Sequence, residues 1–303
     1  MNKKKMFNLV SHRKIWYSIS LVMVGLSLVA IFGWGLPLGI DFSGGTLLEV
    51  KFTQDKPDNS AIADVLAELD LGEIKIQSAG QDSILLRMKH IDNDTRIQVL
   101  ENIYGLAESS ETSFETIGPT IGLELREKAI TAIIVVIIAI ILYITWAFRK
   151  ATLGPVNSWM YGLSAIIALI HDIVIITGLY ALLGKFLNIE LDTMFVTALL
   201  TVLGFSVHDS IVVFDRVREG LKKTYGEEFA QVVNSSIRET IIRSVNTSLT
   251  TLFVLLALFL FGGHSIRYFV LALIAGVIIG TYSSIFVASP LLVSWSKWRQ
   301  RNQ

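Results

Sequence analysis

Asp209 sits in "GFSVHDSIVVFD", Gly204 to Asp215, next to His208, near the end of a run from Thr193 to Phe214 that carries no other charge. A second acid, Asp172, follows His171 in the stretch from Ala151 to Gly184, where it is again the lone charge. A carboxyl group in apolar surroundings is suited to take up and release a proton. An aspartate at the centre of a membrane helix costs ~2.5 to 3.5 kcal/mol on insertion scales, which makes it a functional candidate by default. The alternative, hydrogen-bonding glue between helices, typically returns only ~0.6 kcal/mol. Function is therefore preferred for Asp209. For Asp172 with His171 the two readings balance, and His208 alone reads as a packing residue.

The expected counter-charge to Asp209 lies further along the chain. In "IIRSVNTSLTTLF", Arg243, Asn246, Thr247, Thr250 and Thr251 fall at i, i+3, i+4, i+7 and i+8, one polar stripe on a helix. Thr193, Thr197, Thr201, Gly204 and His208 share a second face with Asp209 at its border. Two such stripes can line a hydrated proton path; the alternative is that their hydroxyls bond carbonyls of their own helices. Moving one charge across 100 mV is worth ~2.3 kcal/mol, the order of the insertion cost, so a proton flux can switch such a carboxylate. The expected path comprises Asp209, Arg243, His208, Asn246, Thr247 and Thr201, with Asp172 and His171 as secondary candidates. A rival reading is an intramembrane aspartyl protease using Asp172 and Asp209 as a dyad. Against it, Asp172 counts to ~25 Å from its basic edge and Asp209 to ~8 Å, at 1.5 Å per residue. A passive binding module on a membrane scaffold leaves the acids unexplained.

The elements that must hold these residues are legible in the composition. Of 303 residues, 52% are hydrophobic and 17% charged, and the mean hydropathy is +0.58; a soluble domain would have difficulty hiding this much apolar surface. Six stretches are long enough to cross a bilayer, which needs about 20 residues. They predict spans over 15–38, 129–148, 156–183, 192–214, 244–263 and 267–294. The first reads as an uncleaved anchor, since "VAIFGWGLPLG" lacks an A-x-A-like cleavage site. With the N-terminus inside, residues 1–14, 149–150, 215–243 and 295–303 are cytoplasmic. Lys and Arg then number 16 on that side against two in the short outer loops, the bias of positive-inside topology. Residues 39–128 form an outer domain with a charge of about −9. The absence of cysteine excludes disulfides and thiol chemistry, and no metal, cofactor or nucleic-acid partner is expected.

Within the outer region, "GTLLEVKF", "EIKIQ", "SILLRMKH" and "ETSFETIG" read as strands. "NSAIADVLAELDLG" and "DNDTRIQVLENIYGLA" read as helices, the first capped by Asn59 or Ser60 with Ala61, Val65 and Leu69 on its inner face. The order β-α-β-β-α-β is that of a ferredoxin-like α+β domain, which itself identifies no function. In "GIDFSGG", Gly39, Gly44 and Gly45 permit positive φ in a turn where Asp41 accepts backbone N–H bonds. Between 227 and 243, Phe229, Val233, Ile237 and Ile241 recur at i, i+4, predicting an amphipathic helix on the cytoplasmic membrane surface. A connector packed on neighbouring loops fits that spacing as well.

Three segments resemble a known family. "GIDFSGGTLLEV" (Gly39 to Val50), "LDTMFVTALLTVLGFSVHDSIVVFDRVRE" (Leu191 to Glu219) and "TSLTTLFVLLALFLFGG" (Thr247 to Gly263) are similar to signatures of the SecD/SecF protein-export family, on its smaller SecF side. The second is the most specific, and family members usually carry Asn where this chain has His208. The resemblance implies a resistance-nodulation-division type of protein in the bacterial cytoplasmic (inner) membrane, with residues 39–128 periplasmic. Its six spans would form half of a pseudo-twofold unit completed by SecD. It further implies a role auxiliary to the SecYEG channel, with YajC and YidC as further candidate partners, in which the proton-motive force draws preproteins outward. Asp209 and Arg243 match positions that the resemblance associates with proton passage. Parallel halves related by an axis along the membrane normal place such a site at their shared interface.

Overall fold

The computed structural model describes residues 8–53, 56–149, 155–223 and 227–301. Lys3, Lys4, Lys5 and Lys150, four of the residues behind the expected orientation, lie outside them. The chain forms two compact units, one spanning Leu38–Thr131 and the other made of the remainder. The first helix, α1 (Arg13–Trp34), belongs to the larger unit. The smaller one holds α2 (Ile40–Ser43), β1 (Gly45–Phe52), α3 (Asn59–Leu66), β2 (Lys75–Ala79), β3 (Ser83–Met88), α4 (Asn93–Leu106) and β4 (Ser109–Ile117). From β1 onward this is the expected β-α-β-β-α-β order, and the antiparallel sheet runs β2-β3-β1-β4.

Period-two alternation makes this sheet two-faced. Leu48, Val50 and Phe52 of β1 turn inward with Ile84, Leu86 and Met88 of β3, and the register sets Leu48 opposite Leu86 and Val50 opposite Ile84. Ile62 and Leu66 from α3, with Val99, Leu100 and Ile103 from α4, close this core. Ile62 and Leu66 are therefore the deepest residues of this segment, the expected Val65 and Leu69 pack against the core partly buried while Ala61 does not join it, and Asp58 rather than Asn59 or Ser60 occupies the N-cap. Asp92 caps α4 by accepting from the Thr95 amide at 2.9 Å. Thr95 holds the Asp92 carboxyl below the usual range.

The Gly-rich stretch departs from the expected turn. Gly39 has φ −68°, and residues 40–43 form α2, so Asp41 stands in a helical first turn. Its charge faces Arg87, whose pKa burial pulls down to about 10 while Asp41 counters the effect. Gly44 and Gly45 do have positive φ, +72° and +134°. The closer constraint is space: a Cβ on Gly44 would lie 2.8 Å from Pro119 Cα, and one on Gly122 would lie 2.8 Å from the Gly44 nitrogen. Backbone thus rests on backbone where the chain enters its next long helix.

That helix is α5 (Pro119–Ala147), followed by α6 (Ser158–Leu187), α7 (Thr193–Lys223), α8 (Phe229–Phe261) and α9 (His264–Ser283). A π-helical turn (Ser284–Ala288) then leads into α10 (Ser289–Arg301). Among the described residues, six helical segments are long and apolar enough to cross a membrane: α1, α5, α6, α7, α8 and the composite segment Arg267–Arg301. All six outrun the uncharged stretches, α5 by starting ahead of Glu124, Arg126, Glu127 and Lys128, and at α7 and α8 this changes the expected organisation. α7 continues through Asp215, Arg216 and Arg218 to Lys223, and α8 begins at Phe229 without a break. There is accordingly no separate surface helix over 227–243. Phe229, Val233 and Ile237 are buried in the bundle, with Ile241 packed against that cluster, because an apolar stripe at this spacing serves a helix packed on other helices equally well. Arg216 pairs with Glu239 where α7 and α8 overlap.

Gly122→Ala should lower the thermal midpoint of the full-length protein in detergent, since overpacking against backbone costs ~1 to 3 kcal/mol. Gly105→Ala, in α4 with nothing within 4 Å of the new methyl, should leave it unchanged or slightly raised.

Candidate functional site

Two of the larger unit's apolar clusters share α6, α7 and the sixth span. One takes Ile175, Ile176, Leu199, Val202, Ala272 and Ile279; the other takes Leu169, Leu203, Val207, Ile285 and Ala288 among its members. Asp172 falls between them on α6, and Asp209 lies on α7 between Val207 and Val213 of the second cluster. Asp172 on α6 is wholly buried. Its Oδ2 accepts from Ser206 Oγ of α7 at 2.6 Å and from Ser283 Oγ at 2.8 Å, and His171 Nδ1 lies 2.9 Å from Oδ1. An ionised carboxylate can only accept, so opposite ionised Asp172 the His171 Nδ1 carries a proton.

Asp209 on α7, only 8% exposed, has its own set of donors. Ser244 Oγ of α8 donates to Oδ1 at 2.5 Å, and Ser284 Oγ, from the start of the π turn, donates to Oδ2. A hydroxyl pair, Ser248 and Thr281 at 2.5 Å, continues the link between α8 and α9. Buried polar groups need such partners, because an unmet one costs ~1 to 3 kcal/mol.

Hydroxyls as short as those of serine reach across only where helix backbones approach closely. A Cβ on Gly276 would lie 2.0 Å from Val202 Cγ2, and one on Gly280 would lie 3.0 Å from Ser206 Cβ. Gly276, Gly280 and Ser284 follow at i, i+4 and i+8, the small-residue pattern of membrane helix crossings. In the π turn, Ser289 Oγ donates to the Ser284 carbonyl at 2.8 Å.

The structure divides the expected path residues into two groups. Asp209 and Asp172 join one buried layer with His171. Arg243, Asn246, Thr247, Thr201 and His208 instead face outward from this unit. No ion pair joins Arg243 to Asp209 among the described residues; α8 turns the neighbouring Ser244 toward the acid. The stripe threonines bond their own helices, Thr201 to Thr197, Thr247 to Arg243, and Thr250 and Thr251 to Thr247. That is the alternative the sequence left open.

The depth estimate for the two acids is overturned. Asp172 bonds Ser283 and Asp209 bonds the adjacent Ser284, so the two acids lie at nearly one level of the bundle, 14 residues or ~21 Å from Ser158 on α6 and from Lys223 on α7. Placing the edge of α7 at its first charge makes Asp209 look shallow. No hydrogen bond joins the two carboxylates among the described residues, so the structure shows no proton-sharing dyad. Ser206, Ser244, Ser283 and Ser284 were not singled out in the sequence, where the small-residue repeat through Gly276 and Gly280 was the available signal.

These features define a multi-pass membrane protein with a four-stranded domain between its first and second spanning helices and a buried acid and hydroxyl layer. The family model "Protein export membrane protein SecD/SecF, C-terminal" matches residues 97–298, and the "SecD/SecF GG Motif" matches residues 29–56. Protein translocase subunit SecF of Thermobaculum terrenum is 43% identical over 96% of this chain and 94% of its own length. The subunit of the same name from Anaerolinea thermophila is 41% identical over 98% and 96%. A crystal structure of SecDF, a translocon-associated membrane protein from Thermus thermophilus, superposes with a TM-score of 0.84 at 34% identity, covering 98% of this chain. This chain spans 40% of that longer one. The chain belongs to the SecF family of protein translocase subunits.

Gly276→Val should push α7 from α9 and draw Ser206 and Ser283 away from Asp172. A fall in thermal midpoint is expected, corresponding to ~1 to 3 kcal/mol or more; an unchanged midpoint would show that this crossing does not hold the layer together.

Proposed function

We propose that this chain pairs with SecD and couples the proton-motive force to preprotein export, as an auxiliary to the SecYEG channel. The observation that carries the proposal is Asp209, a carboxyl group buried mid-helix, held by hydroxyls alone and bordering a polar outward face. Family membership supports the partner, since the Thermus SecDF chain is more than twice as long and this chain matches 40% of it. In this reading the stripes of Thr201 and His208 on α7, and of Arg243, Asn246 and Thr247 on α8, line a hydrated proton path completed by the second half. Arg243 then acts across that face rather than as a resident counter-ion. The Lys and Arg bias supports basic helix ends in the cytoplasm and the four-stranded domain outside, and family membership supports the bacterial cytoplasmic membrane as the site. YajC and YidC are further candidate partners.

Asp209→Asn keeps the size of the side chain and removes its proton chemistry. It should abolish proton-dependent stimulation of preprotein translocation in membrane vesicles while leaving co-purification with SecD intact; unchanged stimulation would end the proposal. Arg243→Ala should reduce proton flux through the reconstituted complex at least tenfold, the scale of one lost charge interaction. Normal flux would remove Arg243 from the path.

A further inference from the structure

The path just proposed leaves Asp172 unused, although it has more hydrogen-bond partners than Asp209. We propose that Asp172 is a positioning residue for Asp209, acting through the adjacent serines Ser283 and Ser284. This rests on the reading of Asp209 as the proton carrier.

Neighbouring residues on a helix point about 100° apart, so one dipeptide can serve two carboxylates on different sides. Ser283 bonds Asp172, and Ser284 bonds Asp209. Ser283 is the last residue of α9 and Ser284 the first of the π turn, a helix form found mostly as single-turn bulges, often at functional sites. The register of the π turn decides where the Ser284 hydroxyl points, and the grip of Asp172 on Ser283 fixes that register from one side. A second tether runs through Ser206, which bonds Asp172 one helical turn before Asp209 on α7. Removing the Asp172 acceptor frees both.

The groups facing Asp209 are few. From α8 they are Ser244, with Arg243 turned outward; from the sixth span, Ser284; from α6, through the serine pair, Asp172 with His171. On α7 itself His208 faces outward, and Arg216 lies two turns on, paired with Glu239. A hydroxyl donor stabilises the charged form of a carboxylate it bonds, and displacing Ser284 removes one of the two donors on Asp209. The pH profile of transport therefore reports on Asp172.

Asparagine separates positioning from proton carriage. In Asp172→Asn the amide oxygen still accepts from Ser206 and Ser283, and the NH2 group donates to His171 Nδ1 once the imidazole takes its other tautomer. Alanine offers neither.

The test uses the full chain in complex with SecD, in everted membrane vesicles, with translocation of a preprotein under an imposed proton gradient measured across a pH series. Asp172→Asn should keep the wild-type midpoint and a rate within about twofold. Asp172→Ala and Ser283→Ala should move the midpoint to higher pH by roughly half a unit or more. Equal loss in Asp172→Asn and Asp172→Ala would overturn the proposal and make Asp172 a carrier itself. An unmoved midpoint in Ser283→Ala would overturn it too, and that variant, lacking one hydroxyl, decides the matter if Asp172→Ala does not fold. Asp209→Asn serves as the control. If it retains proton dependence, the carrier reading falls and takes positioning with it; if it loses that dependence while Ser283→Ala keeps the midpoint, only positioning falls.

Discussion

Two carboxyl groups sit buried inside a bundle of apolar helices, and each must be given hydrogen-bond donors. The rest of the larger unit is arranged around that demand. Hydroxyl donors come from four serines: Ser206 on α7, Ser244 on α8, and Ser283 and Ser284 on the sixth span. Supplying them from hydroxyls rather than lysine or arginine keeps the layer short of fixed charge. A carboxyl held in this way can change protonation without leaving a buried cation unpaired, whereas a buried ion pair that loses one partner is penalised by ~3 to 5 kcal/mol.

Serine reaches only a short distance, so the chemistry dictates the packing. Gly276 and Gly280 bring the sixth span against Val202 and Ser206 so closely that no Cβ fits. The apolar clusters on either side, Ile175 to Ile279 in one and Leu169 to Ile285 in the other, then fix the helices around the layer. The π turn belongs to the same logic. An extra residue in one turn shifts the phase of the helix, so that Ser283 and Ser284 serve α6 and α7 above it while Leu292 and Val293 still point into the core below.

Charge made the spanning helices and Asp209 legible in the sequence, because an uncharged run is conspicuous and a single acid in it more so. The serines carry no such mark. Serine is neutral in hydropathy terms and common on helix faces, and only its spacing with Gly276 and Gly280 hints at a crossing. Charge also misled. Asp215 ends the uncharged run, yet acidic and basic residues continue α7 for two more turns, so a count from the first charge sets the acids too far apart in depth to share a layer. The stripe at Arg243 was a true helical face, but periodicity gives no direction: Ser244, one residue on, is the side chain that faces Asp209. In the smaller domain the strand alternation through Leu48, Val50 and Phe52 fixed the core, while α3 turned Ile62 rather than Ala61 inward, since the sheet selects the bulkier stripe.

The outward polar face carries the argument beyond this chain. Thr201 and Thr247 satisfy themselves on their own helices and sit as easily against lipid as against protein. Arg243 does not. It precedes Ser244, which reaches Asp209, and so lies at the depth of the acid layer, where an arginine facing hydrocarbon costs ~2.5 to 3.5 kcal/mol. His208 lies on the outward side of α7, next to that acid. Two ionisable groups at this depth, one on each of two adjacent helices, are stable only against water or another protein's polar surface. The side of α5 bearing Ile134, Val135, Ile138 and Leu142 makes no such demand, being apolar and exposed in the way lipid contact requires. The bundle thus has a side suited to hydrocarbon and a side that is not, and the second side runs past Asp209.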